Sequence, residues 1–86
     1  MRPPLPEVSR MVTAYILVKS NTGEADRVRT AINEIDGIVD TSIVAGDVDF
    51  ITKVDVESPA TVKTIVADGI QTISGVETTQ TYIALD

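Results

Sequence analysis

The sequence predicts an α+β sandwich in which four antiparallel strands carry two helices on one face, in the chain order βαββαβ. Three observations point to it. Strand-like and helix-spaced runs alternate along the 86 residues. Each helical run is closed by a glycine, Gly37 or Gly75, the residue best suited to the left-handed position beyond a helix. The segments Ile35-Asp36-Gly37-Ile38-Val39-Asp40-Thr41 and Ile73-Ser74-Gly75-Val76-Glu77-Thr78-Thr79 repeat one grammar, as two βαβ-type halves related by a pseudo-twofold axis would.

The elements follow in order. Residues 1–10 hold Pro3, Pro4 and Pro6, which fix φ and lack an N–H, so they predict an extended, flexible tail ahead of a domain over 11–86. Val12 to Lys19 reads VTAYILVK, a β-branched and aromatic run. Ala14, Ile16 and Val18 alternate with Tyr15 and Leu17, so both faces are apolar and the strand is expected at the centre of the sheet. After the turn Ser20-Asn21-Thr22-Gly23, apolar residues at Ala25, Val28, Ile32 and Ile35 have helical spacing. A second strand is expected from Ile38 to Ala45, and the link Gly46-Asp47-Val48-Asp49 joins it as a hairpin to a third at Phe50–Val56. Ser58-Pro59 supplies an N-cap followed by proline at the first helical position, and Val62, Ile65, Val66, Ile70 and Ile73 trace a second helical stripe. Gly69 interrupts it at a cost of up to ~1 kcal/mol, which suggests close packing there. Val76 to Leu85 completes a ferredoxin-like order.

Composition narrows function. The length accommodates one domain and no fused DNA-reading module. With no cysteine and no histidine, thiol catalysis, disulfides and the commonest metal ligands are missing, so no metal, no cofactor and no enzyme activity is expected. A formal charge of −6 and only three lysines argue against holding nucleic acid. No apolar run approaches ~18 residues and no secretory signal opens the chain, so a cytoplasmic, membrane-free protein is expected. An acidic surface of this kind suits a salt-rich medium.

If both helices cover one face, the other still carries apolar side chains from the first strand and from Phe50 or Ile51, depending on register. A small domain gains little from a single core. An apolar sheet face therefore predicts a homodimer packed sheet on sheet.

Gly46-Asp47-Val48-Asp49 is ordinary turn grammar, and it also offers carboxylates and exposed backbone N–H groups that suit a zwitterion's ammonium and carboxylate. Thr79 and Thr81 lie two apart, so their hydroxyls share a face, which fits a plain exposed strand as well as a polar lining. A catalytic role for Asp47 and Asp49 lacks a neighbouring nucleophile or metal.

The strand VTAYILVK, Ile35-Asp36-Gly37-Ile38-Val39, the hairpin from Val44 to Phe50, Ile73-Ser74-Gly75-Val76-Glu77 and Thr79-Gln80-Thr81 resemble the Lrp/AsnC effector domain, also called the RAM domain, from about Val12 to Leu85. The resemblance implies dimers formed through sheet faces, assembly of dimers into rings, and a small effector, usually an amino acid, held where dimers meet. Gly46, Asp47, Val48, Asp49, Thr79 and Thr81 are the ligand-binding residues it implies. Val48 departs from the family, which often has an aromatic there. Family members usually carry a helix-turn-helix; this chain resembles the stand-alone ones, which implies indirect modulation of transcription or metabolism. Two other readings remain: a ligand-free partner of full-length Lrp/AsnC regulators, and an ACT-like domain that would use Ser20-Asn21-Thr22-Gly23. Acylphosphatase-like chemistry would need an arginine after the first strand, and none lies between Met11 and Asp26. Oxygenases of the dimeric α/β-barrel type often rely on histidine.

Overall fold

The computed structural model describes residues 12–85. The expected tail at 1–10 and the domain start at Met11 lie outside the described residues. The order is β1 (Val12–Ser20), α1 (Ala25–Asn33), β2 (Ile38–Ile43), β3 (Phe50–Val56), α2 (Pro59–Thr64) and β4 (Val76–Ile83). Beyond α2 the helix runs on as a wide π turn at Ile65–Gly69 and a tight 3₁₀ turn at Ile70–Thr72. The fold is the ferredoxin-like α+β sandwich that the sequence predicts.

The sheet order is β2-β3-β1-β4, antiparallel throughout. β1 is therefore central, as its doubly apolar sequence requires. Its even-numbered residues Ala14, Ile16 and Val18 are fully buried beneath the helices with Phe50, Val54, Val28, Ile32, Val62 and Ile70. Register settles the choice left open at the third strand. Phe50 pairs with Val18 and enters the core, so Ile51, opposite Leu17, stands on the open face.

The expected N-cap forms, whereas the two glycines read as helix ends lie in the turns 35–38 and 73–76 that open the next strands, past the ends of the helices. The Ser58 hydroxyl accepts the Thr61 N–H at 3.3 Å, and Pro59 takes the first helical position. Gly37 and Gly75 adopt φ of +98° and +101°, a region that disfavours any residue with a Cβ. Space imposes the same choice, since a Cβ at Gly75 would lie 2.6 Å from Thr22 Cγ2.

Four further details differ from the sequence reading. α1 closes at Asn33, so Ile35 lies beyond it and packs onto the core from the turn. The second strand ends at Ile43 because Val44 already belongs to the hairpin closure, where its N–H donates to Asp49 O at 2.9 Å. The last strand ends at Ile83, after which the Ala84 N–H makes a last bond to Thr13 O at 2.8 Å. The second helical stripe crosses a π turn at Gly69, where a Cβ would approach Ile35 Cδ1 at 3.0 Å, so the expected close packing is against the end of the first helical segment.

Candidate functional site

The open face is built from β1 and its neighbours. Tyr15 pairs with Lys53 on one side and Tyr82 on the other, and Leu17 with Ile51 and Gln80. Tyr15, Ile51 and Tyr82 are each more than a third exposed. Charge is confined to Lys19, Lys53, Asp40 and Asp55: Asp40 stands opposite Lys53, and Asp55 accepts the Thr13 hydroxyl at 2.7 Å. The face is mixed: an apolar patch of Tyr15, Leu17, Ile51 and Tyr82 lies beside Lys53 on the interior strand β3, with Asp40 opposite it on β2.

The β2–β3 hairpin lies at the end of the sheet where β1 turns toward α1. Its two aspartates have different surroundings. Asp49 is half-buried: its N–H donates to Val18 O at 2.9 Å, and its carboxylate accepts the Ser20 N–H at 2.8 Å. That carboxylate extends the β1–β3 ladder by one rung. Asp47 is exposed at the tip, and among the described residues its side chain makes no hydrogen bond or ion pair. Gly46 is exposed with open space where a Cβ would be, and Val48 is half-buried beside them.

Thr79 and Thr81 pair with Val18 and Ile16, so their side chains point to the helix side of the sheet. Thr79 accepts a 2.8 Å hydrogen bond from the Gln71 amide. Thr81 lines an open groove of about 450 Å³ between α2 and β4, whose other walls are Pro59, Val62, Lys63, Val66, Ala67, Gln71 and Ile83. A second depression on the other side of Gln71 is lined by Val76, Glu77, Thr78 and Thr79. Gln71 thus joins the site without having been legible in the sequence, where it is one polar residue on an exposed helix face.

Within one chain the expected residues form two groups. β1 lies between the hairpin's strand and β4, and two strand spacings separate them by roughly 10 Å. Asp47 and Thr81 therefore converge only if the hairpin of one protomer meets the edge strand of another.

The link Ser20–Gly23, the place an ACT-like site would use, is occupied by internal bonding. The Asn21 N–H donates to Gly75 O at 2.8 Å, Thr22 Oγ1 accepts the Glu24 N–H at 3.2 Å, and Arg27 reaches Ser74 O at 3.0 Å. No cluster of three or more metal-ligating side chains occurs among the described residues. Among them, no helix is long and apolar enough to cross a membrane.

Comparison with known proteins completes the picture. A family model described as the Lrp/AsnC ligand binding domain matches residues 13–86. A Thermus thermophilus crystal structure superposes with a TM-score of 0.82 at 25% identity, covering 87% of this chain and 94% of that one. The structure of E. coli AsnC gives 0.85 at 17% identity and covers all of this chain and 58% of its own. A transcriptional regulator from Neisseria meningitidis in complex with L-Met gives 0.80 at 15% identity, with 100% and 57% covered. At such identities the last two likenesses speak for the fold. A search of curated proteins finds no match.

Proposed function

The chain belongs to the Lrp/AsnC ligand-binding domain family, and from that premise we propose that it senses a small molecule, an amino acid, where its dimers meet. The match that carries this reading runs from residue 13 to 86 and so includes both the hairpin and the edge strand. The hairpin Gly46-Asp47-Val48-Asp49 of one protomer and Thr79 and Thr81 of another form the site. Binding is the function and no covalent step is involved; occupancy alters assembly, and through it transcription or metabolism.

The geometry refines the roles. Asp49 already holds the Ser20 N–H, so it keeps the hairpin in shape while exposed Asp47 supplies the negative charge for the ligand's ammonium. Thr81 and Gln71 offer the polar end of a groove whose remaining walls are mostly apolar, the form small-molecule sites usually take. That the Neisseria regulator is a complex with L-Met supports an amino acid as the ligand class.

Calorimetry with each of the twenty amino acids at millimolar concentration tests the reading. At least one should bind, and Asp47→Ala and Thr81→Val should each weaken it by about tenfold, or ~1.4 kcal/mol, without unfolding the chain. Absence of heat from all twenty would defeat the proposal.

A further inference from the structure

Charge is distributed unevenly between the two kinds of surface this domain offers to its copies. Residues 12–85 carry eleven acidic side chains against five basic ones, a net −6. The open sheet face contributes nothing to that total, because Lys19 and Lys53 on it balance Asp40 and Asp55. The whole excess lies on the helices, the hairpins and the edges, at positions such as Asp47, Glu57, Asp68 and Glu77, all exposed. Ion pairs do little to relieve it, since the two present among the described residues, Arg27 with Glu24 and Arg29 with Asp26, both lie within α1's first turns.

We propose that this protein assembles in two electrostatically distinct steps: a face-to-face pair that forms regardless of salt, and a joining of pairs that needs salt to proceed. The inference rests on the reading above for the existence of assemblies beyond the dimer. Pairing two open faces brings together surfaces of zero net charge, with Lys53 beside its own Asp40 and available to the partner's acids. Contacts between pairs draw on the remaining surfaces, which together carry the whole excess even though the β4 border is uncharged from Thr78 to Ile83. The screening length is ~10 Å at 0.1 M salt and ~3 Å at 1 M, so the repulsion that holds pairs apart in dilute buffer vanishes at molar salt. Free monovalent cations then act as the switch between a pair and a larger assembly, without a dedicated binding site.

Sedimentation velocity of the full chain at one micromolar concentration, in KCl from 0.05 to 2 M, tests this. A dimer should persist at the lowest salt, and larger species should appear as KCl rises. The triple variant Glu57→Gln, Asp68→Asn, Glu77→Gln halves the net charge and alters no residue of the proposed ligand site; it should form the larger species at about half the KCl concentration or less. Identical transitions in parent and variant would show salting-out of apolar surface and overturn the proposal. So would a dimer that dissociates to monomers before any larger species is lost, or a mass that does not change with salt. Calorimetric ligand binding is read separately, so a failure here and a failure of the sensing function are distinguishable.

Discussion

Replacing Asp49 by alanine should destabilise the domain, whereas the same replacement at Asp47 should not. The two residues are two apart in one hairpin, and either change removes one negative charge from a protein of net −6, so the pair controls for overall electrostatics. What distinguishes them is one bond. The Asp49 carboxylate accepts the Ser20 N–H at 2.8 Å in a half-buried setting, and the Asp49 backbone bonds to Val18 and Val44 survive the substitution. Hydrogen bonds to a charged group contribute ~1.5–3 kcal/mol, and water reaching the freed N–H returns part of that, leaving a loss of about 1–2 kcal/mol. In a domain of this size each kcal/mol moves the melting temperature by ~4–8 °C, so Asp49→Ala should melt roughly 5–15 °C lower. Asp47→Ala should stay within about 0.5 kcal/mol of the parent. Thermal unfolding followed by circular dichroism at a fixed protomer concentration reads both, the concentration being held because association stabilises the fold. Equal melting temperatures for the two variants would refute a structural role for Asp49 and return it to the ligand.

Three further outcomes follow from the geometry. Thr41 and Thr52 are buried and share a hydroxyl–hydroxyl bond of 3.2 Å, so Thr52→Val should cost about 1–3 kcal/mol in urea unfolding, while the double variant with Thr41→Val should regain most of it; an additive double loss would contradict the pairing. Gly75→Ala should cost about 2 kcal/mol in the same assay, from its positive φ and its contact with Thr22, whereas Gly23→Ala, with open space around it, should stay near zero. Tyr15→Glu on the open face should shift the protein toward monomer in sedimentation with little effect on its circular dichroism, since Tyr15 lies outside the core.

The fold was legible because its signals are local. The pattern in VTAYILVK specified a central strand and Ser58-Pro59 a helix start, and both hold in the structure, whereas Gly37 and Gly75, read as helix ends, take their positive φ in the turns that open β2 and β4, beyond Asn33 and Thr72 where the helices stop. What escaped was tertiary. No spacing rule tells that Ile35 packs onto the core from beyond its helix, or that the turn before Gly69 widens to let Ile35 in. The candidate residues show the same division. Alternation correctly put Thr79 and Thr81 on one face, but only the register with Val18 and Ile16 shows that this is the helix side, where Gln71 awaits them. Two aspartates of identical chemistry looked interchangeable until one proved to be bonded to the backbone of a strand 29 residues away.

β4 forms one border of the sheet, and from Thr78 to Ile83 that border has no charge, no proline and no glycine. Such a stretch is the kind that nucleates fibrils, since any extended chain drifting past can zip onto its outward-facing amides. Native sheets usually shield such a rim with lysine, proline or a kink, and this rim has none of them along those six positions. Its protection must come from neighbours that occupy it or from mutual repulsion that keeps strangers away. Shelf life in concentrated solution should therefore be shortest where repulsion has been screened and correct partners are scarce.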